Sequence, residues 1–130
     1  MTNLDKSIIV FSKKHCILVN KHLADFYSLR LRKPFQGEQE RNSITIYIAA
    51  SEPNLVQIDP AQVTLDNRNM SAGIRVTTVD TRSVIDTDRQ VELKHLTSSN
   101  SLEYHKLSMS ITCYQLNMQF KEVLAVGKDD

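Results

Sequence analysis

The feature that most constrains this chain is a period-two alternation of apolar and polar residues, which recurs in short segments along its length. In one segment, Ile44, Ile46 and Ile48 alternate with Thr45 and Tyr47. Because successive side chains of a strand point to opposite faces, each segment predicts a strand with one buried and one exposed face. The other segments with this pattern are 27–32, 56–58, 63–65, 74–78, 91–95 and 107–113.

Turn-forming clusters separate the alternating segments. They contain all three prolines, Pro34, Pro53 and Pro60, so that no proline interrupts a predicted ladder. Short strands divided by turns at this spacing favour an antiparallel sandwich over alternating βαβ units. We therefore predict an all-β fold with seven or eight strands in two antiparallel sheets.

The length of 130 residues fits a single domain. We predict that the β-sandwich covers residues 1–118. The apolar spacing of residues 119–130 fits either an edge strand or a short helix, followed by a frayed tail.

The scarcity of glycine excludes several enzyme signatures. The chain has three glycines, at 37, 73 and 127, and they lie far apart. Phosphate-cradling loops and the nucleophile elbow both need clustered glycines. Neither H-E-x-x-H nor C-x-x-C occurs in the sequence. We predict that the protein is not an enzyme and has no cofactor.

The charge balance bears on the class of partner. Lys and Arg total 16 against 15 Asp and Glu, for a formal net charge of +1. This balance gives no electrostatic argument for nucleic-acid binding. The apolar runs are also too short to cross a membrane. With no secretory leader at the start of the sequence, we expect a cytoplasmic protein with protein partners.

Two cysteines and nearby histidines raise the question of a disulfide or a metal site. Cys16 and Cys113 either form a single bridge or remain reduced and pack as small hydrophobes, which suits a cytoplasmic chain. His15, Cys16 and His22 are soft metal ligands, but adjacent residues of a strand point to opposite faces, which argues against a zinc site. His95 continues an apolar face and is expected at the edge of the core.

Four basic residues form a candidate binding surface on a predicted strand and the turn that follows it: Arg30, Arg32, Lys33 and Arg41. These charges either form a solvated face that keeps sheet edges from pairing or bind an acidic partner.

The order of the predicted strands resembles a Calx-β-type, immunoglobulin-like repeat over about residues 16–115. The segment Val56-Gln-Ile-Asp-Pro-Ala-Gln-Val-Thr-Leu, for example, is similar to a strand, proline corner and short strand of that family. The resemblance implies an immunoglobulin-like arrangement of the sandwich. The other segments that carry it are 26–34, 43–53, 73–80, 84–89 and 107–113.

The resemblance also implies a candidate calcium site. Calcium-binding members of the family use clustered carboxylates at one end of the sandwich, and the positions that match here are Asp80, Asp86 and Asp88. Several carboxylate oxygens are what Ca²⁺ requires. The family's acidic residue before the first long strand is missing, because Asn20 and Lys21 occur there. The alternative is a turn in which the aspartates accept local hydrogen bonds.

These observations favour a non-enzymatic protein-interaction or structural module, as one domain of an intracellular scaffold of the cytoskeletal or ciliary kind. Loops on a rigid sandwich commonly carry binding, so we expect contacts through the end loops at 33–41 and 80–89 or through an exposed sheet edge. The alternative function is a calcium-binding adhesion module similar to Calx-β repeats, which would use the aspartate-rich loop.

Overall fold

The computed structural model of the protein describes residues 8–19, 24–79 and 89–116. Within these ranges the chain forms nine β-strands and two single-turn 3-10 helices, Gly37–Gln39 and Leu102–Tyr104. The strands are β1 (Ile9–Phe11), β2 (His15–Val19), β3 (Ala24–Leu31), β4 (Ile44–Ala50), β5 (Val56–Asp59), β6 (Gln62–Leu65), β7 (Ser71–Thr78), β8 (Arg89–Ser99) and β9 (Ser108–Leu116).

The strands form two sheets that face each other across the core. One sheet has the order β1-β3-β7-β5, and the other has the order β2-β9-β8-β4-β6. The predicted all-β, immunoglobulin-like sandwich is confirmed.

Two details differ from the prediction. The described residues contain nine strands rather than seven or eight, and β2 pairs with β9 in a parallel orientation. Both differences arise at the N-terminal end, where the chain crosses from one sheet to the other between Phe11 and His15. Strand β1 therefore pairs with β3, while β2 lies beside β9.

The apolar residues of the alternating segments form most of the core, and residues from β1 and β2, such as Ile9 and Leu18, complete it. On β4, Ile44, Ile46 and Ile48 are buried, whereas Tyr47 between them is exposed. Full burial of a side chain of this size stabilises a fold by about 1.5–3 kcal/mol relative to exposure. Other fully buried side chains of the core include Ile9, Leu18, Leu29, Leu31, Leu65, Ile74, Val76 and Leu93.

One polar pair lies within this core. His95 is fully buried, and its Nε2 is 2.7 Å from the hydroxyl oxygen of Tyr27 on the opposite sheet. Phe11 packs edge-on against the imidazole, with 4.9 Å between ring centroids. Burial raises the pKa of Tyr27, which keeps the phenol protonated. The expectation that His95 lies on the apolar face is confirmed, although the ring is within the core rather than at its edge.

Asp25 connects the two sheets next to β2. Its carboxylate accepts hydrogen bonds from the backbone amides of Ile17 and Phe26, both at 2.8 Å, and forms a salt bridge with Lys13. Burial acts to raise the pKa of the Asp25 carboxyl, but Lys13 and the two amides outweigh burial and hold it below its usual value. The amide of Ile17, on an edge strand, is therefore occupied from within the molecule.

Residues 119–130, for which the sequence predicts an edge strand or short helix, lie outside the described residues. The domain boundary at residue 118 therefore stays a prediction.

Candidate protein-binding surface

The candidate surface lies where the chain before β4 meets the chain after β6. These strands are antiparallel neighbours, and Ile44 at the start of β4 pairs with Leu65 at the end of β6. Their pairing brings the connection 33–42 alongside the turn 66–69, although the two segments are far apart in the sequence.

The connection 33–42 owes its shape to one 3-10 turn. The amides of Gln39 and Glu40 donate to the carbonyl groups of Gln36 and Gly37, respectively, and the amide of Asn42 donates to that of Gln39. Gly37 has a φ of 62°, in the left-handed region that residues with a Cβ rarely adopt. The turn places Arg41 three residues before the start of β4.

The turn 66–69 is fixed by its own aspartate. One carboxylate oxygen of Asp66 accepts hydrogen bonds from the amides of Arg68 and Asn69, both at 2.8 Å. The backbone amide of Asp66 in turn donates to the carbonyl of Asn69. This is an Asx-type turn, which aspartate side chains commonly form, and it positions Arg68.

The side chain of Asn67 joins the turn to the connection. Its amide oxygen accepts a hydrogen bond from the backbone N–H of Phe35 at 2.7 Å, and its amide nitrogen donates to the carbonyl of Phe35 at 2.8 Å. Both backbone groups of one residue are thus satisfied by one side chain, so the two segments are held in a defined relative position.

Between the two segments lies an open cleft of about 570 Å³, which we call the arginine cleft. Arg41 and Arg68 line it with exposed guanidinium groups, together with Asn42, Asn67, Glu40 and Asp66. Neither arginine forms an ion pair with another described residue. The one salt bridge among the described residues joins Lys13 to Asp25, away from this cleft. One oxygen of the Asp66 carboxylate accepts hydrogen bonds from two amides of the turn, and these amides partly neutralise its negative charge. The cleft therefore presents two guanidinium forks to solvent.

Phe35 also lines a second, smaller groove of about 170 Å³, so the Asn67–Phe35 hydrogen bond joins one residue of each cavity's lining. Phe35 and Tyr104 form part of the lining of this groove, with ring centroids 5.9 Å apart, and Lys33 lies beside them. Burial and the neighbouring Glu103 raise the pKa of Tyr104, so its phenol is neutral.

The structure distributes the four basic residues predicted from the sequence over different surfaces. Arg30 points outward from the four-stranded sheet, and Nη1 is 3.5 Å from the carbonyl oxygen of Leu31. Arg32 and Lys33 are exposed after β3, with Lys33 in the smaller groove. Arg41 alone of the four lines the arginine cleft. The four predicted residues therefore do not form one binding surface in the structure.

The sequence reasoning missed Arg68. Its proximity to Arg41 depends on the pairing of β4 with β6. No local pattern in a single sequence specifies that pairing.

The predicted calcium ligands Asp80, Asp86 and Asp88 lie outside the described residues. His22, the third soft-ligand residue considered with His15 and Cys16, does too. Among the residues that the structure describes, no group of three or more His, Cys, Asp or Glu side chains could hold a metal ion. His15 is exposed and packs edge-on against Tyr114, whereas Cys16 is buried, so the two adjacent residues do face opposite ways.

Comparison with solved structures identifies the fold. The periplasmic chaperone SfaE is similar with a TM-score of 0.66 and 7% sequence identity over 84% of this chain, which spans 57% of that chaperone's length. The ASH/PapD-like domain 7 of human CEP192 is similar with a TM-score of 0.65 and 7% identity, and the match covers 90% of this chain and 89% of that domain. SSP-19, an MSP-domain-like family member from Caenorhabditis elegans, is similar with a TM-score of 0.58 and 14% identity, and the match covers 82% of this chain and 97% of SSP-19.

The fold is an immunoglobulin-like β-sandwich, and these chaperone, PapD-like and MSP-domain-like structures are similar to it. These similarities support the immunoglobulin-like part of the predicted resemblance and do not extend to a Calx-β repeat. At such low identity they show the fold alone. No family model matches the sequence, and no curated protein matches it significantly. In the described ranges, no helix is long and apolar enough to cross a bilayer.

Proposed function

We propose that this chain is a non-enzymatic protein-interaction module that binds an acidic segment of a partner protein in the arginine cleft. The observation that carries the proposal is the pair Arg41 and Arg68, which line one open cleft without an ion-pair partner among the described residues. A guanidinium presents two parallel N–H donors that match the two oxygens of a carboxylate. Two such groups in one cleft suit a segment that carries more than one carboxylate.

The backbone around the cleft supports this function because it is held in place before a partner arrives. The Asn67 side chain and the Asp66 turn fix the segments that carry the two arginines. A preorganised surface loses less conformational entropy on binding than a flexible loop does. In the smaller groove, the half-buried ring of Tyr104 is the contact that we assign to an apolar residue of the same segment.

We further propose that the chain acts as one domain of a larger cytoplasmic scaffold, of the cytoskeletal or ciliary kind. One named neighbour supports this proposal: the CEP192 domain is PapD-like domain 7 of its protein, which therefore contains several such domains. The calcium-dependent alternative depends on Asp80, Asp86 and Asp88, for which the described residues offer no supporting observation.

The proposal is tested by fluorescence anisotropy with a labelled glutamate-rich peptide. The wild-type chain is expected to bind it, and the double variant Arg41→Gln/Arg68→Gln to bind about tenfold or more weakly, a loss of about 1.4 kcal/mol or more. Arg75→Gln is the matched control, because Arg75 is an exposed arginine on the outer face of the four-stranded sheet. The absence of binding by the wild type, or an equal loss in the control, would contradict the proposal.

A further inference from the structure

Cys16 and Cys113 meet inside the sandwich, which the sequence left open. They are direct partners in the parallel register of β2 and β9. Both side chains are fully buried and both cysteines are free. The two thiols are also hydrogen-bonding neighbours. The pair is therefore a dithiol held between an edge strand and its single neighbour in the sheet.

The backbone separation of the pair suits a disulfide. Neighbouring strands of a sheet lie about 4.7–4.9 Å apart. The Cα atoms of a disulfide are usually about 4.4–6.8 Å apart. Directly paired positions thus fall within the range that a disulfide spans, and the bond requires adjustment of side chains more than movement of strands.

We propose that Cys16 and Cys113 are a redox modification site, at which a small-molecule disulfide of the glutathione class oxidises the folded chain to an intramolecular cross-strand disulfide. This proposal is independent of the arginine cleft. The thiolate of Cys16 attacks one sulfur of the small disulfide, forms a mixed disulfide and releases one thiolate. The thiolate of Cys113 then attacks Sγ of Cys16 and releases the second. Two protein thiols are oxidised, one small disulfide is reduced to two thiols, and two protons are transferred.

Cys16 is the expected first nucleophile for two reasons. It lies on β2, an edge strand that separates more readily than β9, which is flanked by β2 and β8. The hydrogen bond with Cys113 also lowers the pKa of the Cys16 thiol, while the same contact and burial raise that of Cys113. Only the thiolate form of a cysteine attacks a disulfide.

Because both thiols are buried, the reaction needs a local opening of β2. Asp25 restrains that opening by accepting the hydrogen bond from the amide of Ile17. The rate of oxidation should therefore depend on the hydrogen bond between Asp25 and the amide of Ile17.

The product is tested by mass spectrometry on the full purified chain in buffers of graded oxidised to reduced glutathione. After quenching, denaturation and alkylation, the disulfide form takes up no alkylating reagent, whereas the dithiol takes up two equivalents. We expect the alkylation-resistant form to accumulate, to remain monomeric, and to melt several degrees higher than the reduced chain. Reduction should restore both the uptake of alkylating reagent and the lower melting temperature. Persistent free thiols, a stable mixed disulfide with glutathione or a covalent dimer would each overturn the proposal.

The route is tested with two variants. Asp25→Ala removes the acceptor that restrains β2, whereas Ile44→Val lowers global stability from β4, away from both cysteines. We expect Asp25→Ala to speed oxidation about tenfold, the effect of losing one such hydrogen bond, and Ile44→Val to change the rate much less. If both variants speed oxidation only in proportion to their loss of global stability, the bond forms through the unfolded chain, and the proposal for the folded protein is overturned.

Discussion

At the scale of single residues, His95 and Tyr27 form a buried polar pair that joins the two sheets, with 2.7 Å between Nε2 and the phenol oxygen. His95 was placed on the apolar face because it follows Val91 and Leu93 at a spacing of two, and it is buried there. Its partner Tyr27 belongs to the other sheet, 68 positions away. A pattern within one strand carries no information about contacts across the core, so the buried pair could not be predicted.

The buried imidazole predicts a pH dependence of folding. Burial lowers the pKa of His95 from 6.5 to about 4, although the backbone of Met109 and Leu93 acts in the opposite direction. Below pH 6.5 the unfolded chain binds a proton that the folded chain does not, so stability falls as the pH falls from 6.5 to 4. The loss from this group approaches about 1.4 kcal/mol per pH unit.

Urea denaturation at a series of pH values checks this expectation. The free energy of unfolding should be constant with respect to this group above about pH 7 and should decline between about pH 6.5 and pH 4. His95→Gln should flatten the decline, whereas His15→Gln should keep it because His15 is exposed. A wild-type stability that stays constant over that interval would show that His95 is not buried in its neutral form.

At the scale of elements, the strands were predictable and their partners were not. The segments that became β4, β7 and β8 were recognised because each alternates cleanly over many residues. The crossing of the chain between β1 and β2 depends on the available edges of β3 and β9, which are formed by distant parts of the sequence. Local propensity does not decide between such edges.

The edge of β2 gives a prediction at this scale. Asp25→Ala removes the acceptor of two backbone amides, those of Ile17 and Phe26. The free energy of unfolding should fall by about 1–2 kcal/mol. Hydrogen exchange at the Ile17 amide should accelerate by more than the global change accounts for. Asp59→Ala, on an exposed position of β5, is the control and should change neither quantity appreciably. Unchanged exchange at Ile17 would contradict the role given to Asp25.

The connection between β3 and β4 gives a second prediction. Asn67→Ala removes both hydrogen bonds to the backbone of Phe35. We expect the unfolding free energy to fall by about 1–2 kcal/mol and the affinity for an acidic peptide to weaken, because the arginine cleft loses its fixed shape. Asn69→Ala, in the same turn, should leave the affinity unchanged. Equal peptide affinity in Asn67→Ala and the wild type would contradict the positioning role.

At the scale of the whole molecule, the sequence predicted the fold class and one half of the candidate site. Arg41 was named from its local basic cluster. Arg68 joins it through the antiparallel pairing of β4 with β6. The remaining basic residues of the cluster occupy other surfaces, because Arg30 points away from the sheet while Lys33 follows the chain into the smaller groove.

The negative charge of Glu40 predicts that its removal strengthens binding, whereas removal of the arginines weakens it. Glu40 is an exposed carboxylate in the lining, and its charge opposes that of an acidic partner. Glu40→Gln should therefore strengthen binding of a glutamate-rich peptide by roughly twofold to fivefold at low salt, and the gain should shrink as salt is added. Titration by anisotropy at two ionic strengths measures both effects. Weaker binding by this variant would mean that Glu40 contacts the peptide favourably.

The central claim is that the arginine cleft binds an acidic protein segment, and the most direct measurement is an NMR titration of the labelled chain with a glutamate-rich peptide. Amide shifts should change in residues 40–42 and 66–68 and saturate with a single affinity. Residues 26, 28, 30, 73 and 75, which face outward from the four-stranded sheet, should stay unchanged. Shift changes centred on that outer face, or no saturable change in the cleft, would contradict the claim.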